Sequence, residues 1–453
     1  MKDVKFEREL KNLIYYVLQY GIHRSTIKAD MPNPSYDEMV AFVTNVHKGF
    51  MLAQKSVVRN LTEVLQQKKK AKQQLKIDNR ERNTAAKKAD QDLLNKLKYQ
   101  EYVFRKVIDS IAFILLRYEL SDAHRLYCGE EPIDITDSNL QSCIEYSQDI
   151  YQKDPMTFAL ISDLSSFIQA GDILQYRYGE KVSVIELKEG VVNEKVLETM
   201  RFYEQSKCDM FLNLTLEQEG PGFKRQLSRT VKQIHKDRSI VDVMNTGRGT
   251  DMFTGLNVDV IQGNGEIQTF TEIVKELLKD ARAKGYATSV IEGCLPIGVY
   301  YNAKFPKEIF ADWMRLIKID FPIIDLRQSI LDPTAYPIFL LGIPQSSLVD
   351  IVLGRVSILM SIDIDSWLLP LKQGGYKIDY IPQSKLQSIC KSSLKNIHPI
   401  MSEGKCVTVE KNGIKQFLQK GLLARMFTMF STPSSMQKYI VEMFKQDQPK
   451  SGD

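Results

Sequence analysis

The sequence predicts a multidomain protein of mixed α/β (α+β) class, on three observations. From Tyr36 to Leu120 there is no proline and one glycine, Gly49, which reads as a long helical region. Residues 170–190 read as a β-hairpin. After Ile240, short β-prone runs alternate with amphipathic helical ones. The 453 residues then divide into a helical and coiled-coil region at 1–130, a compact core at 131–240 and a C-terminal α+β domain at 241–453.

The composition, 43% apolar and 26% charged, is that of an ordinary soluble protein. A net charge of +5 says little about nucleic acid by itself, so the distribution of charge matters more. The longest apolar runs, Ile108 to Leu116 and Ile338 to Leu341, are too short to span a bilayer and read as core. The first residues lack the apolar stretch of a signal peptide, so a cytoplasmic location without a membrane partner is expected. The six cysteines form no Cys-x-x-Cys pair, and no histidine lies at zinc-ligand spacing from them. That argues against a disulfide frame and a structural zinc site.

Residues 1–30 carry Phe6, Leu10, Leu13, Ile14, Val17 and Leu18 at helical spacing. Met31-Pro-Asn-Pro-Ser breaks that helix, and Ser35 with Glu38 forms a capping box for the next. The middle of the long helical region is basic, with Lys68, Lys69, Lys70 and Lys72 followed by Arg80, Arg82, Lys87 and Lys88. Leu61, Leu65, Leu75, Leu93 and Leu97 give a thin apolar seam. Two antiparallel helices folding back near Asp78-Asn79-Arg80, or one protruding rod, both account for it. The lysine run is either a solvated coiled-coil face or an arm that holds a phosphate backbone. Long helices of this kind also pair, so a homo-oligomer is expected. Val103 to Leu120 is richly apolar and must dock on a globular body, with Asp109, Arg117, His124 and Arg125 as packed polar groups there.

Cys128-Gly-Glu-Glu-Pro reads as a turn, Asp137-Ser138 as a helix start, and Met156 to Ile161 as the first strand. In the hairpin, Ile173, Leu174 and Tyr176 follow Gly171. Gly179-Glu-Lys makes the turn, and Val182, Val184, Ile185 and Leu187 make the second strand. Glu186 and Lys188 sit two apart and leave the same face, and the hairpin brings Asp172 onto it. Two carboxylates and an ammonium at one sheet end cost desolvation and repulsion, which a divalent metal offsets. Hard oxygen ligands suit Mg²⁺ or Mn²⁺.

Asp172 followed by Glu186-Leu187-Lys188 resembles the PD-(D/E)xK nuclease superfamily, the restriction-endonuclease-like fold. Its core motif is an acidic residue near the start of one strand and Glu-x-Lys on the next. The resemblance covers residues 137–240, and Gly171 stands where the proline of the motif's name would be. It implies a restriction-endonuclease-like core and metal-dependent hydrolysis of phosphodiesters in nucleic acid, DNA before RNA. Asp172 and Glu186, with the carbonyl of Leu187, would hold Mg²⁺ or Mn²⁺. Lys188 would steady the attacking water or a phosphoryl oxygen. Many relatives add a carboxylate from a helix before the sheet, which points to Glu145, with Asp149 on the same face as runner-up. Many also carry a Gln with basic neighbours on the helix after the Glu-x-Lys strand. Here that is Gln226 and Arg229, three apart on one helix face, with Lys224 and Arg225 beside them. Lys68, Lys69 and Lys70 would add substrate contacts. By analogy alone, such an enzyme fits restriction, repair or anti-phage defence. Two other classes stand beside it: a catalytically silent nuclease-fold subunit that binds nucleic acid, and a scaffold assembled through the long helices.

Further along, Asn193 to Lys207 reads as a helix, Met210 to Leu214 as a short strand or a helix start, and Gly220-Pro-Gly as a break. Strands are expected at Val241–Met244, Val258–Ile261, Thr288–Ile291, Gly298–Tyr301 and Ile338–Leu341. An amphipathic helix is expected at Phe270–Lys284, and a loop at Gly247-Arg-Gly-Thr-Asp. Asp363 and Asp365 read as a turn or strand end, and Cys294 lacks the histidine and carboxylate company of a nucleophile.

Overall fold

The computed structural model describes residues 3–25, 33–81, 83–187, 191–206, 208–250, 257–259, 267–382, 384–385 and 398–446. It is an α+β structure with several small sheets and long helices near the N-terminus. The chain divides into two compact units, one made of residues 1–15, 98–110 and 261–453, the other of 16–97 and 111–260. This partition differs from the three consecutive segments expected from sequence. The reason lies in α1 (Val4–Leu18) and α3 (Thr84–Leu115), whose segments 4–15 and 98–110 group with residues 261–453. Phe6 packs edge-on against Phe104, with ring centroids 5.5 Å apart. Lys106, 1% exposed, donates to the carbonyls of Pro333 and Ala335 at 3.0 Å and pairs with Asp109 at 3.4 Å. A buried ammonium survives only with such a full set of acceptors.

In the second unit, α2 (Tyr36–Arg80) begins at the expected capping box, with Ser35 and Glu38 bonded reciprocally. The chain turns at Glu81–Asn83 into α3, and the carboxyls of Asp78 and Asp90 meet across that turn. The long helical stretch is thus two helices folded back. Next come α4 (Leu120–Leu126) and α5 (Leu140–Lys153). The three-stranded antiparallel sheet of β1 (Thr157–Ile161), β2 (Ile173–Arg177) and β3 (Ser183–Ile185) follows. Ile173 pairs with Ile185 and Leu174 with Val184, so the expected hairpin forms, but its second strand ends at Ile185, and Glu186 and Leu187 follow it rather than lying in it. The open edge of β1 is closed by a side chain. Gln54 on α2 accepts the Ile161 N–H at 2.9 Å and donates to the Ala159 carbonyl at 3.3 Å. That satisfies backbone groups which an edge strand otherwise leaves open.

Beyond the sheet lie α6 (Val191–Ser206) and α7 (Asp209–Thr246), packed through Val196, Phe223 and Leu227. Met210–Leu214 lies in α7 as helix, and Gly220 breaks the helical dihedrals at φ 79°, where the break was expected. The expected strand at Val241–Met244 is instead the last turns of α7, because Ile240 and Val243 continue its buried face. The expected loop at Gly247 carries β4 (Arg248–Thr250), paired with β5 (Asn257–Asp259). The other residues of the loop and of the Val258 run, 251–256 and 260–261, lie outside the described residues.

The first unit holds α8 (Thr271–Lys284) on a four-stranded antiparallel sheet. Its strands are β6 (Tyr286–Ile291), β7 (Leu295–Tyr301), β8 (Ile324–Asp325) and β9 (Val356–Met360), ordered β6-β7-β9-β8. α9 (Pro306–Leu316) packs Phe310 and Met314 against Tyr300 and Leu359. The expected strand at Ile338–Leu341 is instead a 3₁₀ helix at Ile338–Leu340, preceded by Pro337, which cannot donate to a ladder. α10 (Gln345–Val352) and α11 (Ile364–Gln373) follow, and Asp363 caps α11 by accepting the Ser366 N–H at 3.1 Å. A second sheet of β10 (Lys377–Pro382), β11 (Met401–Ser402), β12 (Lys405–Lys411) and β13 (Ile414–Phe417) is built around β12. Helices α12 (Lys420–Met429) and α13 (Pro433–Gln446) end the described chain. Among the described residues, no helix is long and apolar enough to cross a membrane.

Candidate functional site

Gly171 sets the entry to the site. Its φ is +63°, and a Cβ there would lie 2.3 Å from Val184 Cγ1 and 3.1 Å from the Ile185 carbonyl oxygen. Only glycine tolerates both the left-handed backbone and that approach. The next residue, Asp172, continues the ladder. Its N–H donates to the Ile185 carbonyl at 2.9 Å, and its own carbonyl accepts from the Ser162 N–H at 2.9 Å. The side chain then turns to the following segment, where Oδ2 accepts the Leu187 N–H at 2.6 Å.

Glu186 stands between the two ends of that clasp. Asp172 and Glu186 line one open pocket of about 210 Å³, together with Asp163, Glu130 and Glu131. No lysine or arginine among the described residues lines it. Gln169 pins its far wall. The Gln169 side-chain oxygen accepts the N–H groups of Cys128 at 2.7 Å and Glu130 at 3.3 Å, and its amide donates to the Glu130 carbonyl at 2.6 Å. Lys236 of α7 approaches the same wall, with Nζ 3.3 Å from Cys128 Sγ.

Burial, with repulsion from Glu186 and Asp163, pushes the Asp172 carboxyl up to about 6, against the hydrogen bonds from the Leu187 N–H and the Asn139 side chain. Carboxylate oxygens are the donors that a hard divalent cation takes. Among the described residues, no three His, Cys, Asp or Glu side chains converge to hold a metal. Asp172 and Glu186 are donors of the type that Mg²⁺ takes, since it is bound through one or two carboxylates and keeps several waters. Of the expected ligands, the Leu187 carbonyl is already engaged, accepting from Asn139 Nδ2 at 3.3 Å.

The other expected site residues are placed as follows. Lys188 lies outside the described residues. Glu145 is exposed and accepts from Gln141 at 2.7 Å. It stands two residues from buried Cys143, about 200° round the helix, so it is turned away from the packed face. Asp149 is exposed and paired with Lys153 at 2.6 Å. Gln226 is half-buried on α7, while Lys224, Arg225 and Arg229 are exposed on it. None of these lines the Asp172 pocket. On α2, Lys69 is bound to Asp134 at 3.3 Å and Thr136 at 2.6 Å, Lys68 is half-buried and Lys70 is exposed.

Sequence reasoning missed Asp163, Glu130, Glu131, Gln169 and Asn139. The doublet at 130–131 beside Pro132 signals a turn, and nothing local points to partners some forty residues on. No family model, curated protein or solved structure matches the chain.

Proposed function

We propose that the chain is a metal-dependent nuclease that hydrolyses phosphodiester bonds in nucleic acid, DNA before RNA. One observation carries the reading: Asp172 and Glu186 line a single pocket, with the Asp172 carboxylate bonded to the Leu187 amide. The placement of Asp172 just before one strand and Glu186 just after the next, with helices before and after the sheet, supports it.

Asp172 and Glu186 would hold Mg²⁺ or Mn²⁺. A cation held by them would supply the Lewis acidity that activates a water and offsets charge on the phosphate. Asp172 acts as a fixed anion, because the Leu187 amide sets its orientation. Lys188 neutralises charge on the phosphate, and the exposed Lys224, Arg225 and Arg229 hold the backbone of the substrate. A role in restriction or anti-phage defence fits such an activity.

The second reading is a catalytically silent subunit that binds nucleic acid, for which the exposed Lys224, Arg225 and Arg229 of α7 supply the charge. Cleavage of plasmid and single-stranded substrates with Mg²⁺, with Mn²⁺ and with excess chelator tests both. Nuclease chemistry at this pocket requires the cation and stops with chelator. Binding without cleavage under every condition leaves the second reading.

A further inference from the structure

We propose that Asn139 is a positioning residue, which holds the Asp172–Leu187 clasp and through it sets the cation affinity of the pocket. The inference rests on the cation-site reading above.

Asn139 occupies the N-cap position of α5, where asparagine normally accepts a backbone N–H of the first turn. Here its side chain makes no such cap bond. Instead Nδ2 donates to the Leu187 carbonyl at 3.3 Å, close enough to the Asp172 carboxylate to favour its ionised form. A carbonyl oxygen only accepts, so the amide nitrogen faces Leu187. The oxygen is left to accept the Cys143 thiol at 3.5 Å.

Leu187 is held through both of its backbone groups. Its N–H donates to Asp172 at 2.6 Å, and its carbonyl accepts from Asn139 at 3.3 Å. Glu186 is the residue immediately before the doubly held Leu187. Its backbone cannot move relative to Asp172 without breaking one of these bonds. Asn139 touches no bond of a substrate, so its effect passes through the two carboxylates. Partners of this kind are worth about 10–100-fold in metal affinity.

The experiment compares wild type with Asn139→Ala and Asn139→Ser. Serine can cap α5 but is too short to span to Leu187. Two readouts are taken: hydrogen exchange over residues 183–187 of the cation-free protein, and Mn²⁺ affinity from the electron paramagnetic resonance of free Mn²⁺. Both variants are expected to exchange faster there and to bind Mn²⁺ about 10–100-fold more weakly. Recovery of both readouts by Asn139→Ser would make the residue a helix cap and overturn the proposal. Faster exchange with unchanged Mn²⁺ affinity would overturn it too. If wild type binds no Mn²⁺, the cation-site reading itself fails, and the exchange data still report whether Asn139 holds the clasp.

Discussion

The Asp172 carboxylate accepts the Leu187 amide at 2.6 Å, across fifteen residues of chain. The bond joins the acid that opens β2 to the segment that leaves β3. It also fixes the charge whose ionisation the pocket resists, since burial and Glu186 push Asp172 up to about 6. A carboxyl raised in the folded state favours folding while protonated, and that contribution is lost as pH rises through about 6.

Asp172→Asn keeps an oxygen for the Leu187 amide and removes the charge. Its melting temperature at pH 8 should equal or exceed that of wild type. Addition of Mn²⁺ should raise the wild-type midpoint by mass action and leave the variant's unchanged. A variant that Mn²⁺ stabilises as strongly as wild type would place the cation elsewhere.

Gly171→Ala should do the reverse, harming the fold and the site together. Alanine at φ +63° costs about 1–3 kcal/mol in backbone strain, and its Cβ would meet Val184 Cγ1 at 2.3 Å. A large drop in the urea midpoint is expected, with faster exchange at residues 183–187. A midpoint within experimental error of wild type would show that the hairpin entry relaxes freely.

His47 gives a pH dependence of known sign. It is 3% exposed, and Nδ1 lies 2.8 Å from the Pro155 carbonyl, so that nitrogen carries the proton. Burial holds its pKa below the ordinary value, against the bond to Pro155. The unfolded chain takes up a proton below about 6.5, while the folded one resists. The stability it contributes is therefore present above about 6.5 and lost as pH falls below it. The wild-type urea midpoint should fall between pH 7.5 and 5.5 by more than that of His47→Gln. Asp172 and Asp122, both pushed up to about 6 chiefly by burial, act with the opposite sign in that window. The difference between wild type and variant isolates the histidine, and parallel curves would exclude it.

The hairpin was legible because its determinants are local. Gly171, Gly179 and the β-prone runs on either side of Gly179 mark the turn and the two strands, and Ile173 pairs with Ile185. The capping box at Ser35 was legible for the same reason. The pocket's second wall was not. Glu130 and Glu131 sit in an irregular segment and Asp163 in a 3₁₀ helix, and the Gln169 side chain ties the segment 128–130 to the chain entering Gly171 through bonds that no periodicity announces. Val241 and Val243 are β-branched and read as strand, yet burial along α7 outweighs that preference. Lys106, charged in an apolar run, gave no sign that two carbonyls and Asp109 would enclose it.

Single-turnover cleavage in Mg²⁺ by wild type, Glu186→Gln and Lys188→Ala tests the central claim most directly. Glutamine keeps the size of Glu186 and loses its charge, so the pocket keeps its shape. Lys188→Ala removes the ammonium of the Glu-x-Lys segment. Each variant should keep its melting temperature and its affinity for nucleic acid, while cleavage slows by about 100-fold or more, the scale of one lost preorganised charge. Cleavage at the wild-type rate by Glu186→Gln would contradict the account and remove the Asp172–Glu186 pocket from the chemistry.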